Sequence, residues 1–262
     1  MGLEYNQITP NVITTAPKNI DEITNMDSLE TVTLTCINLS TKLIIVDCGA
    51  VNAKARAFRS DMERHFKKDV SHLLLTHSHW DHSDALEVFS DTSIVISKKG
   101  AAKIHPRPDI KVTERLVINS NGNKVLFQVT GGHSPDSAYI FFPSEQVLCA
   151  GDNLLSCYSQ VFTNGKVLLD VYRYWESLDI KNIIPGHGFV VDKKYLTNVR
   201  KYFERLISYL AKLKSQGLTI HQVLKHSGLP AYCYKNHSKW VEGGRRHTGW
   251  LILGIKYWYR II

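Results

Sequence analysis

The 262-residue sequence contains no C-x-x-C pair: its five cysteines, Cys36, Cys48, Cys149, Cys157 and Cys233, are odd in number and scattered. That argues against a disulfide framework and against a structural zinc ribbon, so a reducing, cytoplasmic setting is expected. Long apolar runs are also missing. The most apolar late stretch, "GWLILGIKYWYRII", is broken by Lys256 and Arg260 and falls short of the roughly 18 to 20 residues a membrane span needs. The opening "MGLEYNQITPNVITTAP" has no basic start followed by an apolar segment, so no secretory leader is expected. Acidic residues are scarce in one region only. Residues 193–262 hold 14 Lys and Arg against 2 Asp and Glu, whereas residues 1–192 hold 18 against 22. The net charge of +8 therefore resides in the C-terminal quarter, where an anionic partner would be sought; a solvated helical surface is the plainer alternative.

What the chain does have is enough apolar material, 44%, for a substantial core. From Thr31 to about Pro185, short runs rich in Val, Ile, Leu and Phe are bounded by Gly, Asn, Ser or Asp, as strands are. They are "TVTLTCINL", "KLIIVDCG", "HLLLTHSH", "TSIVIS", "KVLFQVTGGH", "SAYIFF", "QVLCAGD" and "IKNIIPGH". Helices are predicted over residues 53–68, 83–89 and 170–177, which makes the class α/β with mixed hairpins and crossovers. Beyond Pro185, Leu196, Val199, Phe203, Leu206, Leu210 and Leu213 recur at steps of three and four, predicting a helix over residues 193–214. Thr219 with Gln222 reads as a capping box opening a second helix, and Gly228 then Pro230 as its stop. The expected division is a catalytic domain over residues 1–192 and a basic helical extension over 193–262, packed on it.

The segment "THSHWDHSDAL" (residues 76–86) directly follows the apolar run "VSHLLL". Alternate side chains of an extended segment share a face, so His77 and His79 can reach one point together while Ser78 turns away. A helix starting near Asp81 would aim Asp81 and His82 elsewhere, which suits a second metal. Imidazole nitrogens and carboxylate oxygens are the donors that Zn²⁺ accepts. One loop cannot close around two ions, but three further segments end strands in the same residue types: "GGHSPDS" with His133, "CAGD" with Asp152 and "PGHG" with His187. Alone, each is ordinary turn chemistry. A carboxylate such as Asp152 can bridge two ions at the roughly 3.5–4 Å spacing of two-metal hydrolytic sites.

In this order and spacing, over about residues 31–188, these segments resemble the metallo-β-lactamase superfamily. The resemblance implies a four-layer αβ/βα sandwich with the metal site along one edge. It further implies that His77, His79 and His133 hold one divalent ion, that Asp81, His82 and His187 hold the other, and that Asp152 bridges them. The ions would be zinc, with iron or manganese as alternatives. Asp47 in "IIVDCGA" resembles the superfamily's early acidic residue, which supports the ligand loops without binding metal. "GGHSPDSAYIFFP" is similar to the corresponding stretch of true metallo-β-lactamases. His82 and Asp152 set the chain apart from them and bring it nearer the glyoxalase II, lactonase, phosphodiesterase and tRNA-processing branches.

Zn²⁺ lowers the pKa of a bound water from 15.7 to about 7, so attack by hydroxide on a carbonyl or phosphoryl centre is expected, with Asp81 orienting the nucleophile and shuttling its proton. The favoured substrate is a small ester, thioester or lactone with an anionic handle. The alternative is a phosphodiesterase or nuclease, suggested by the basic C-terminal quarter; a β-lactamase ranks below both. Arg245, Arg246 and His247 are candidate anion-binding residues. Tyr158, Tyr172, Tyr232 and Tyr234 could each assist a leaving group, with packing the commoner role among twelve tyrosines.

Overall fold

The computed structural model describes residues 5–23, 31–156, 159–160, 162–231 and 249–262. Strands β1 (Asn6–Thr9), β2 (Val12–Thr14), β3 (Thr35–Leu39), β4 (Lys42–Val46), β5 (Val70–Leu74), β6 (Ser93–Ser97) and β7 (Ile110–Val112) form one sheet in that order. Strands β8 (Arg115–Ser120), β9 (Asn123–Val129), β10 (Ala138–Phe142), β11 (Val147–Leu155) and β12 (Asn182–His187) form a second, also in chain order across the sheet. The pairs from β4 to β7, and β11 with β12, are parallel; the rest are antiparallel.

Period-two alternation divides the strands between layers. Along β4, Ile44 and Val46 face a cluster shared with Phe127, Ile140 and Phe142 of the second sheet. Leu43 and Ile45 face the other way, onto Ala55, Phe58 and Met62 of helix α1 (Asn52–Phe66). Along β10, Ile140 and Phe142 look inward while Tyr139 and Phe141 join an outer helical cluster. After the single-turn helix α2 (Trp80–Ser83), that outer layer comprises α3 (Gly165–Ser177), α4 (Lys193–Ser215), α5 (Ile220–Lys225) and α6 (Gly249–Ile261). The result is helix, sheet, sheet, helix. Helix α4 buries the predicted stripe, Leu196, Val199, Phe203, Leu206, Leu210 and Leu213. Asp192 caps its first turn, accepting from the Tyr195 N–H, and the capping box of Thr219 and Gln222 opens α5.

Several elements depart from the sequence reading. The helix expected over 83–89 splits into α2 and a 3-10 turn over Leu86–Phe89. Backbone at and just before this break is engaged elsewhere: Cys48 N–H donates to the His82 carbonyl at 3.0 Å and Ala85 N–H to the Gly49 carbonyl at 3.0 Å. Helix α3 starts at Gly165, earlier than expected, because Asn164 accepts the Val167 N–H as its cap. Strands β1, β2, β7 and β8 are not among the expected strands. Strand β8 joins β9 through an Asn121-Gly122 turn, both residues having positive φ as a two-residue hairpin demands. Among the described residues, no helix is long and apolar enough to cross a membrane.

Candidate metal centre

The parallel strands β4 and β5 end side by side, and the chain turns there into the ligand-rich loops. Asp47 follows β4 with φ +56°, a left-handed conformation that Asp tolerates better than most residues. Its carboxylate accepts the Thr76 N–H at 2.7 Å through Oδ1, and through Oδ2 the Thr76 hydroxyl and His82 Nδ1, each at 2.8 Å. Because the Thr76 hydroxyl donates its proton to Asp47 Oδ2, it can only accept from His77 Nδ1, 3.0 Å away. Both His77 and His82 thus carry a proton on Nδ1 and direct Nε2 to the interior.

Two groups of donor atoms result. The first is His77, His79, His133 and Asp152; the second is Asp81, His82 and His187. In the first, His79 Nδ1 lies 3.0 Å from both His77 Nε2 and His133 Nε2, while Asp152 Oδ2 lies 3.5 Å from His133 Nε2 and 3.9 Å from His77 Nε2. In the second, His187 Nε2 is 3.2 Å from His82 Nε2 and 3.3 Å from Asp81 Oδ2. Asp152 Oδ1 faces this group, 3.1 Å from His82 Nε2 and 3.6 Å from His187 Nε2. Donors about 2.0–2.1 Å from a shared tetrahedral centre stand about 3.3 Å apart, so both groups have the spacing of a coordination shell. Asp152 Oδ1 is buried, and His82 Nε2 stands 3.1 Å from it. A buried carboxylate oxygen facing an imidazole nitrogen fits a divalent cation between them.

The electrostatics agree. Burial opposes the charge on Asp152, yet His82, His187 and His133 hold its carboxyl well below the usual carboxylate range. Burial likewise opposes the charge on Asp81, but a hydrogen bond from His187 and the nearby imidazoles bring it below its ordinary value. Burial, reinforced by neighbouring imidazoles, pushes His77 and His79 down, so both are neutral. His82 goes the other way: burial disfavours its cation, but Asp152 and Asp47 overcome it. The pocket therefore calls for positive charge, which a proton supplies when no metal does.

All seven predicted ligand residues converge, and Asp47 supports two of them from behind. Asp152 is not at a strand end as expected. It lies inside β11, where pairing with β12 slips from Cys149–Ile184 to Gly151–Pro185 and then to Leu155–His187. Gly186 makes that approach possible: a Cβ there would stand 2.0 Å from Asp152 Oδ1. Tyr172 is fully buried and donates to the Asn153 carbonyl at 2.7 Å, a packing role. Arg245, Arg246, His247, Tyr158, Tyr232 and Tyr234 lie outside the described residues. Sequence reasoning passed over Thr76, Asn153 and Thr31, although the first two adjoin predicted ligands. Asn153 Oδ1 accepts the His133 N–H at 2.9 Å, and Thr31 Oγ1 sits 3.0 Å from His187 Nδ1. On the open side, His79 and the 53%-exposed Trp80 face solvent.

Comparison with known proteins places this geometry among relatives. The family described as the metallo-beta-lactamase superfamily matches residues 35–187. An atrochrysone carboxyl ACP thioesterase from Aspergillus fumigatus is 24% identical over 151 residues, covering 57% of this chain and 48% of the fungal protein. A metallo-beta-lactamase type 2 from Bacillus sp. (strain 170) is 25% identical over 179 residues, covering 61% and 68% respectively. The chain thus spans about half the length of the thioesterase it matches. Among solved structures, the stereoselective inverting sec-alkylsulfatase Pisa1 from Pseudomonas sp. superposes with a TM-score of 0.69 at 15% identity, covering 98% of this chain and 50% of that one. At that identity the likeness is one of fold.

Proposed function

The chain belongs to the metallo-β-lactamase superfamily, whose members include hydrolases, and from that premise we propose a dinuclear metallohydrolase acting on a small ester, thioester or lactone. The observation that carries this reading is Asp152, whose two carboxylate oxygens face the two donor groups separately. His77, His79 and His133 would hold one divalent ion, zinc by the nature of the donors, and Asp81, His82 and His187 the other. Two such ions supply Lewis acidity and a nucleophilic water near neutral pH. Asp47 and Thr76 engage the Nδ1 atoms of His82 and His77 and so aim their Nε2 atoms inward. Asp81, ionised and only partly buried, accepts the proton of the attacking water at its carboxylate and orients that water toward the carbonyl carbon. His79 marks the side from which substrate enters.

The fungal relative's thioesterase name favours an acyl thioester within that class. A phosphodiester substrate is the second reading, supported by the excess of Lys and Arg in residues 193–262. Metal-loaded protein assayed in parallel on an acyl thioester, a lactone, a β-lactam and bis-p-nitrophenyl phosphate separates these readings. Turnover is expected on the thioester or lactone. Turnover of the phosphodiester alone would overturn the acyl assignment.

A further inference from the structure

Asp136 belongs to neither donor group, yet it is fully buried and lies three residues after His133. Its two oxygens serve two different elements. Oδ2 accepts the backbone N–H of Ser78 at 2.8 Å, and Oδ1 accepts Nζ of Lys103 at 2.9 Å. Ser78 is the residue between His77 and His79, and Lys103 is half exposed on the turn that follows β6. The carboxylate also packs against Gly100, where a Cβ would stand 2.8 Å from Oδ2.

A turn that needed only an acceptor for one N–H would be served by a neutral amide or hydroxyl, without the cost of burying a charge. Lys103 makes the buried charge tolerable but does not explain why a charged group stands there. The location does. The peptide joining His77 to Ser78 sets the direction in which both histidines leave the backbone, and Asp136 ties that peptide to the loop that carries His133. One carboxylate therefore registers three imidazoles against each other, and the ammonium of Lys103 keeps it from swinging away.

We propose that Asp136, anchored by Lys103, is a positioning residue for the first donor group: through the Ser78 N–H it sets the spacing of the inward nitrogens of His77, His79 and His133. The proposal rests on the reading of that group as a metal site. Partners behind metal ligands commonly govern affinity by roughly 10–100-fold, and that is the size of effect expected here.

The test titrates metal-free protein with Co²⁺ alone, reading the d–d absorption band for coordination geometry and chelator competition for affinity, with thermal unfolding of the metal-free protein alongside. Asp136→Asn should weaken binding at the first site by about 10–100-fold and alter the d–d envelope. Lys103→Met, a change at a half-exposed side chain, should fold normally, weaken binding by a smaller factor, and be rescued by Lys103→Arg. Wild-type protein that binds no cobalt would overturn the metal reading and this proposal together. Wild-type protein that binds cobalt while both variants keep its affinity and spectrum would overturn this proposal alone. So would a weakening in Asp136→Asn that only follows loss of folding, with Lys103→Met unchanged.

Discussion

In the proposed two-ion arrangement Asp152 serves both donor groups, and the consequence of losing it is asymmetric with that of any single histidine. Removing one imidazole leaves the other group intact; removing the carboxylate strips a donor from each. Asp152→Ala is therefore expected to lower metal content at both positions, measured by elemental analysis after dialysis against a weak chelator, and full wild-type content in that variant would remove the bridging role. Asp136 carries a second prediction, on stability. Burial opposes its ionisation, but the Lys103 ammonium and the hydrogen bond from the Ser78 N–H hold its folded carboxyl below the ordinary value of 3.8. A depressed carboxyl contributes stability that is present above the unfolded pKa and is lost as pH falls through the folded one. Metal-free wild-type protein should thus lose unfolding free energy below about pH 4, and Asp136→Asn should show a shallower loss over the same range in urea titrations. Equal slopes would show that the carboxyl is not depressed.

At the scale of elements, the site depends on two contacts between neighbours distant in sequence. The first is the close approach of β11 and β12. Gly186 faces Asp152 so closely that a Cβ would meet backbone as well, 2.7 Å from both the Asp152 nitrogen and the Gly151 carbonyl carbon. Backbone cannot yield as a side-chain tip can, so Gly186→Ala should displace Asp152 and reduce metal content as Asp152→Ala does, while far-ultraviolet circular dichroism stays close to wild type. The second contact is the packing of α6 on the turn before α3. Thr163 N–H donates to the carbonyls of Gly132 and His133 at 3.0 and 2.9 Å, and Gly165 N–H donates to the Tyr257 hydroxyl at 3.1 Å. Phe162 packs between Phe203, Tyr257 and Trp258. The C-terminal helix therefore braces the loop bearing His133 through one intermediate turn. Tyr257→Phe should cost about 0.5–1.5 kcal/mol and Trp258→Ala about 3–5 kcal/mol in chemical denaturation, and metal release should accelerate in both. Unaltered release would confine α6 to a stabilising role.

For the whole molecule the decisive quantity is charge. Fourteen basic residues against two acidic ones in residues 193–262 would suit several phosphates or a single anionic handle, and salt distinguishes the two. A nucleic-acid substrate should lose affinity with a slope of about −0.7 to −0.9 per neutralised phosphate in a plot of log affinity against log salt. A small acyl substrate with one anionic group should give a shallow slope, and that is the expected outcome. Replacing Arg245 and Arg246 together by Ala should then raise KM for the anionic substrate and spare a neutral analogue, because the lost interaction is uniform binding. Equal effects on both substrates would return the basic quarter to a solvated surface.

The sequence by itself singled out His77, His79, Asp81, His82, His133, Asp152 and His187 as candidate donors, because metal chemistry narrows the residue types sharply, and the fold brings all seven together. It also determined α4 and its buried face, since a stripe recurring over 23 residues leaves no rival period. The division of those donors between two groups was already implied by the resemblance; tertiary structure added which oxygen of Asp152 faces which histidine, and at what distance. It decided, too, that residues 83–89 do not form one helix, since carbonyl and N–H groups there bond to the loop after β4. And it alone revealed Asp136: a carboxylate three residues from a histidine reads as a turn until the fold brings it within 2.8 Å of the Ser78 nitrogen, 58 residues away in the chain. Local pattern encodes period and donor type; long-range pairing encodes who meets whom.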